Sequence, residues 1–357
     1  MNSPDQRLPV SVITGFLGSG KTTLINHLVR HPAMGEAAVI VNEFGEIGLD
    51  HTLIEQSDEH TILLGTGCLC CTVRGDLVET LHDLSIRRHK GEVPPFKRVV
   101  IETTGLADPA PILHTLMSVP VVARYRLDTV ITTVDAVNGA ATLDRHGEAV
   151  KQAAVADRLI LTKTDLADAA TVGNLLERLN GLNPAAKTIE AVHGKLDPGA
   201  LFGGHQFTTE TKTEDVRGWL SEEAYGDHDH DAARPDVNRH DDHIRSFCLT
   251  FEAPLRWNVL AAWLDTLAGK HGEKLLRVKG LVNVEDIDEP VVVHAVQHLF
   301  HPPARIAGWP EAHRRSQIVF ITKDLSCSEV EDILARLEQA LGEPLETGGP
   351  PAKQRVG

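Results

Sequence analysis

Positive charge is scarce in this chain: 35 Lys and Arg stand against 50 Asp and Glu, a formal net charge of -15 at pH 7. A surface that acidic repels polyanions, which removes nucleic acid from the expected partners and leaves small metal cations and particular proteins. A nucleotide is a separate matter, because a local glycine loop and one lysine hold phosphates against the overall field. Long apolar runs are also missing. No stretch reaches the roughly 18 residues of a membrane helix, and the polar start MNSPDQRLP lacks the pattern of a secretory leader. A cytoplasmic chain without a membrane partner is expected. Cysteine is the third scarcity, with five in 357 residues, yet three of the five fall within four positions. In a reducing compartment such a cluster is more often a metal site or redox group than a structural disulfide.

What is present begins at the first apolar run. Residues 10–14 read as a short buried strand, GFLGSGKT follows, and residues 23–31 carry helical periodicity. Gly15, Gly18, Ser19, Gly20, Lys21 and Thr22 thus satisfy G-x-x-x-x-G-K-[ST] in the strand, loop and helix setting that a phosphate cradle requires. Glycines let successive backbone N–H groups turn inward on phosphate oxygens, and the helix N-terminus adds partial positive charge. Lys21 is expected on the β and γ phosphates and the Thr22 hydroxyl on Mg²⁺.

Such a cradle calls for a carboxylate at the end of a buried strand. KRVVIETTG supplies Glu102, and Gly105 offers a backbone amide to a γ-phosphate. Both assignments lean on the cradle, since a strand-ending Glu is often a solvated loop residue. Base choice is expected in ADRLILTKTD, where T-K-x-D resembles the N-K-x-D element of GTPases. There Asp165 accepts from guanine N1–H and the 2-amino group while the stem of Lys163 lies over the ring, and adenine has no such donor pair. Thr162 stands where Asn is usual, which calls one side-chain contact to the base edge into question. The competing reading is a plain strand end with Asp165 as N-cap of the next helix.

The thiols lie between the cradle and Glu102, in GTGCLCCTVRGD. Loops after the strands of a doubly wound sheet gather at one edge, so the thiols are expected near the γ-phosphate. Gly65, Gly67 and Thr72 around them read as a turn. C-x-C-C is too compact for a zinc finger. Two or three thiolates from one turn leave a coordination position open, which suits Zn²⁺, or Co²⁺ or Ni²⁺, held tightly yet surrendered by ligand exchange. On a loop that moves with the nucleotide, such a site would have two metal affinities. Small packed core residues and a redox pair of Cys68 with Cys71 are the other readings.

Texture divides the chain. Residues 1–203 read as an α/β unit, a P-loop NTPase sheet that is mostly parallel with helices on both faces, ending in a helix over 168–180 and a strand over 188–192. Residues 204–243 turn polar and read as a mobile linker, whose His228, His230, His240 and His243 either capture metal weakly or are merely solvated. Residues 244–342 read as a smaller α+β C-terminal domain of order β-α-β-β-β-α with helices on one face, and 343–357 as a flexible tail. KLLRVKG, 274–280, is cationic at alternate positions taken as exposed, either solvated or touching the nucleotide domain or a client. Cys248 and Cys327 stand alone and read as packing residues.

GFLGSGKTT, VNEFGE, GCLCC, ETTGLADP and LTKTD in this order, then KLLRVKG and QHLFHP, resemble the CobW-type metallochaperone GTPases over nearly the whole chain. These are relatives of the nickel-insertion GTPases of urease and hydrogenase. The resemblance implies a GTP-hydrolysing protein that delivers a divalent metal, zinc most commonly, to client proteins. It implies phosphate and Mg²⁺ contacts from Gly18, Ser19, Gly20, Lys21, Thr22 and Thr23, an acidic role for Glu102, and metal ligation by Cys68, Cys70 and Cys71. Metal-dependent clients and a nucleotide-dependent homodimer are the expected partners. Water is the expected phosphoryl acceptor, with Glu46, Asp50 and Asp76 as candidates to orient it. A small-molecule kinase and a metal-storing or sensing protein are the rivals.

Overall fold

Alternation along the strands turns the first sheet into a layer buried on both sides. On β1 (Leu8–Gly15), Val10 and Val12 join one apolar cluster and Ile13 another. On β2 (Ala37–Val41), Ala38 and Ile40 join the first cluster and Ala37, Val39 and Val41 the second. Strands covered on both faces read as continuous apolar runs, which is why they are visible in the sequence. The structure, a computed structural model, describes residues 6–41, 54–58, 61–64, 69–72, 77–202, 243–300, 303–306, 308–309 and 314–342.

The remaining strands are β3 (Ile54–Asp58), β4 (Thr61–Leu64), β5 (Leu69–Thr72), β6 (Arg98–Glu102), β7 (Tyr125–Asp135), β8 (Arg158–Thr162) and β9 (Lys187–Ala191). They complete a nine-stranded sheet of order β3-β4-β5-β2-β6-β1-β7-β8-β9. Pairing is parallel from β5 through to β9, and β3 and β4 run antiparallel at one edge. Helices cover both faces, as expected. α1 (Lys21–Val29) packs on the Ile13 side. On the Val10 side lie α2 (Leu77–Lys90), α3 (Ala110–Met117), α4 (Gly139–Arg145), α5 (Gly147–Ala154) and α6 (Ala169–Leu182). Asp168 caps α6 by accepting the Thr171 amide at 2.8 Å, so Asp165 is not the N-cap.

The thiol segment departs from its expected form. Leu69–Thr72 is a strand, not a turn, because β4 and β2 pair with it on its two sides and take up its backbone groups. Cys68, Glu46, Asp50, Asp76, His228, His230, His240 and the tail lie outside the described residues. His243 is described, and its Nδ1 sits 2.5 Å from Asp324 Oδ1.

The second sheet is antiparallel. It is built from β10 (Ile244–Phe251), β11 (Leu275–Val282), β12 (Val291–Val296), β13 (Leu299–Phe300), β14 (Ala304–Arg305) and β15 (Ser316–Lys323), in the order β10-β15-β11-β12-β13 with β14 on β12. One face carries the helices Trp257–His271 and Cys327–Gly342, labelled α8 and α9 after the single turn α7 (Pro198–Leu201). Trp263 is buried there among Val278 and Phe320, and its Nε1 donates to the Val330 carbonyl at 3.1 Å. Cys248 and Cys327 are half-buried in apolar clusters, as expected. The two-residue strands β13 and β14 are too short for any period to announce them.

The other face of this sheet lies on the first, mostly parallel unit, where Leu276 and Ile321 pack with Ala153, Leu159 and Leu179. β11 is buried along its length, so Arg277 and Lys279 of KLLRVKG do not sit on a solvated face, while Lys274 just before the strand is half-buried. Arg277 and Lys279 both reach the Asp157 carboxylate just before β8, and Arg277 also donates to the Val155 carbonyl. Lys279 Nζ is 2.5 Å from Asp157 Oδ1, while Oδ2 accepts the Val130 amide at 2.8 Å. Two buried cations thus share one carboxylate. Burial, with the Arg277 charge added and Asp157 only partly offsetting, lowers the Lys279 ammonium from 10.5 to about 8.

That shift has a definite sign. Between about pH 8 and 10.5 the unfolded chain keeps a proton on Lys279 that the folded chain has lost, so stability rises with pH through this group. Above pH 10 the buried Tyr125, raised to about 12, acts in the opposite sense and sets the upper limit of a test. Lys279→Met is expected to flatten the rise in urea-unfolding stability that the parent shows from pH 8 to pH 10. An unchanged slope would mean that Lys279 titrates normally in the folded chain.

Candidate nucleotide and metal site

The cradle is shaped by three glycines with positive φ: Gly15 at 138°, Gly18 at 72° and Gly20 at 94°. Gly15 also has no room for a side chain, since a Cβ would fall 2.3 Å from Thr133 Oγ1 of β7. Ser19 Oγ bonds the same hydroxyl at 2.6 Å, so β7 braces the loop from below. Gly20 leads into α1, whose N-terminus has no side-chain cap and no acidic residue in its first turn. Its orphan amides and positive dipole end are therefore left for an anion. Lys21, 8% exposed, donates to the carbonyls of Gly15 (2.8 Å) and Phe16 (3.2 Å). This ammonium is stored inside the loop, where phosphate oxygens would replace the carbonyls. Thr22 is half-buried and Thr23 exposed.

On the next strand, Glu102 ends β6 level with Ile13. Thr103 Oγ1 then bonds Thr14 Oγ1 at 2.8 Å, tying the β6 end to the β1 end. Gly105 lies against the cradle itself, where a Cβ would be 2.7 Å from the Leu17 nitrogen.

The T-K-x-D element meets the cradle from the other side. Thr162 Oγ1 donates to the Ser19 carbonyl at 2.8 Å, so its hydroxyl braces the loop. Lys163 adopts φ 58°, and its Nζ is 2.7 Å from Asp135 Oδ2. Burial pushes the Asp135 carboxyl up, but the Lys163 ammonium, the Asn138 side chain and the Val137 and Asn138 amides together bring it below the ordinary range. Asp165 follows on a 3₁₀ turn, with His193 Nε2 3.8 Å from its Oδ2. A cavity of about 250 Å³ flanks the cradle, lined by Phe16, Ser19, Thr133, Asp135, Gln152 and Lys163 among others.

Register places the thiol strand in the same sheet but not at the cradle. Cys71 is level with Ile40, Ile101 and Val12, and Cys70 with Val39, Val100 and Ser11. β5 is three strands from β1, roughly 14 Å across, and Cys71 lies about 10 Å short of the Gly15 level. At Cys70 and Cys71 the backbone of β5 therefore lies away from the cradle within the sheet, where the thiols were expected near the γ-phosphate. Among the described residues, no group of three or more His, Cys, Asp or Glu is arranged to hold a metal.

Residues 9–190 match the CobW/HypB/UreG nucleotide-binding domain, and residues 244–340 match the cobalamin synthesis protein CobW C-terminal domain. The chain belongs to the CobW/HypB/UreG family. The zinc chaperone YjiA of Escherichia coli strain K12 is 33% identical over 333 residues, which is 93% of this chain and 99% of that protein. The zinc-regulated GTPase metalloprotein activator 1 of Schizosaccharomyces pombe is 35% identical over 198 residues, 53% of this chain and 47% of its own length. The crystal structure of Zn(II)-bound YjiA GTPase from E. coli matches with TM-score 0.72 at 32% identity, covering 94% of this chain and 99% of that one. The CobW-type sheet with its appended antiparallel domain is accordingly the fold of a P-loop GTPase.

Within this family fold, sequence reasoning missed Thr133, Asp135, Gln152 and His193. Asp135 ends a buried strand just as Glu102 does, so the same signal would have found it. Thr133, Gln152 and His193 carry no local signal, because each meets its partner across the chain.

Proposed function

We propose that this CobW-type protein hydrolyses GTP and carries zinc on Cys68, Cys70 and Cys71, passing it to metal-dependent client proteins in a step set by the nucleotide. The observation that carries this reading is the shared sheet. β5, bearing Cys70 and Cys71, pairs with β2, and β2 pairs with β6, whose end bears Glu102 and leads to Gly105. A change at the γ-phosphate then reaches the thiols through two strands without direct contact. Relatives named as zinc chaperones and as a zinc-regulated GTPase activator support zinc as cargo. Cobalt and nickel are accepted by the same donor type, so the metal is chosen by availability as well as by sulfur chemistry.

The donor set at the cradle suits Mg²⁺. The Thr22 hydroxyl and the Glu102 carboxylate are both oxygen donors at the ends of adjacent elements, which a hard cation prefers. Bound there, the ion would neutralise charge between the β and γ phosphates. Lys21 and the amides of Gly18, Ser19 and Gly20 would hold the phosphates, Gly105 would meet the γ-phosphate, and Lys163 with Asp165 would take the base. Among the described residues no helix is long and apolar enough to cross a membrane.

The test is a zinc competition titration with GDP and with a nonhydrolysable GTP analogue, on the parent and on Cys70→Ala. The parent is expected to show two zinc affinities, and the variant to lose at least about tenfold in the tighter one, or about 1.4 kcal/mol. Zinc held equally by parent and variant would remove the thiols from the site.

A further inference from the structure

The loop after β6 is gripped from behind by α5. Gln152, with 0% exposure, donates from Nε2 to the carbonyls of Gly105 (3.2 Å) and Ala107 (3.0 Å). One residue earlier, Lys151 Nζ lies 2.6 Å from Asp108 Oδ2. On its other side the loop presses on the cradle through Gly105 and Leu17. The segment is therefore wedged between the phosphate loop and one short helix.

That helix is itself fixed. Thr132 Oγ1 of β7 donates to the Gln152 carbonyl at 2.7 Å, and Asn183 Nδ2 donates to the carbonyls of Ala153 (2.9 Å), Ala154 (3.1 Å) and Ala156 (2.9 Å). A side chain on such a platform holds its target in place. The amide can point only one way, because Oε1 has no hydrogen to offer two carbonyl oxygens. This leaves Oε1 buried with no hydrogen-bond partner among the described residues. An apolar side chain of similar size would avoid that penalty, so packing does not select glutamine here. The two donated hydrogen bonds do.

We infer that Gln152 is a positioning residue for the γ-phosphate: without touching the nucleotide, it holds the Gly105 amide against the cradle at the height where a triphosphate, but not a diphosphate, would meet it. The inference deepens the proposed function and rests on the role given there to Gly105. Its consequence is selective. A diphosphate stops short of Gly105 and is indifferent to Gln152, whereas binding and hydrolysis of a triphosphate depend on it.

The test uses the full chain with Gln152→Met, which keeps the volume and removes the donors. Dissociation constants for GDP and a nonhydrolysable GTP analogue are measured together with kcat and KM for GTP. GDP affinity is expected to stay within about twofold of the parent, while analogue affinity and kcat each fall about tenfold. Equal losses for both nucleotides, as a merely structural role would give, or no loss for either, would overturn the inference. Should Gln152→Met not fold, Gln152→Leu removes the same two donors with a different apolar shape. It is expected to lose analogue affinity about tenfold and GDP affinity by no more than about twofold, and unchanged discrimination there would also overturn the inference. A parent that binds GDP and the analogue alike would instead refute the role of Gly105, and the inference with it.

Discussion

Lys21→Met is expected to reduce GTP turnover about 10²-fold to 10³-fold while leaving the fold in place. The side chain is held inside the phosphate loop by two backbone carbonyls, so its charge is already positioned before any phosphate arrives. A preorganised cation at a transferring phosphoryl group needs no reorganisation during reaction, and its loss falls mainly on the rate. Methionine keeps the apolar stem, so the melting temperature without nucleotide should stay within about 3 °C of the parent. The stabilisation that GTP adds to the parent should shrink, since it scales with the logarithm of ligand over its dissociation constant. Phosphate release and thermal melting with and without GTP check both statements. Turnover at the parent rate would take Lys21 out of the phosphate site.

Much of the fold was readable because its signals are local. Continuous apolar runs mark strands buried on both faces, and GFLGSGKT changes period within eight residues from strand to loop to helix. β5 was misread for the converse reason. Gly65, Gly67 and Thr72 signal a turn locally, whereas the parallel pairing that ties 69–72 into the sheet is with β2, 31 positions back. The cations of KLLRVKG left two readings open for the same reason, and the one in which they touch the nucleotide domain is the one formed. Alternating charge looks like a solvated face until Asp157, 120 positions from Arg277, is seen between them.

The site divides along that line too. Gly15, Gly18, Gly20, Lys21 and Thr22 announce themselves by spacing: the glycines because their positive φ favours no other residue, Lys21 and Thr22 because phosphate and Mg²⁺ call for an ammonium and a hydroxyl there. Thr162 was noticed as a departure from Asn, but its purpose appears only when its hydroxyl is found on the Ser19 carbonyl, 143 positions away. Gln152 carries no such signal. Nothing within its own segment says that it holds two carbonyls of a loop 45 and 47 positions back.

Asp165→Asn is expected to change which base the protein accepts. Guanine presents two donors, N1–H and the 2-amino group, and a carboxylate accepts both. Asparagine offers one acceptor and one N–H₂ donor, so its amide nitrogen would oppose the 2-amino group. Xanthine carries a carbonyl at that position, which the new amide can donate to while its oxygen still accepts N1–H. GTP affinity should fall by about 10³-fold or more, and xanthosine triphosphate should gain, because a mismatched buried polar group is rejected far more strongly than a missing methylene. The site geometry is ready for this reading: Lys163, at φ 58°, is anchored on Asp135 at 2.7 Å and turns the chain so that Asp165 follows on its own short turn. The variant should also fold normally, since the cap of α6 belongs to Asp168. Asp168→Asn is the matching control, expected to leave base choice untouched. If Asp165→Asn holds GTP as tightly as the parent and gains nothing for xanthosine triphosphate, Asp165 does not read the base.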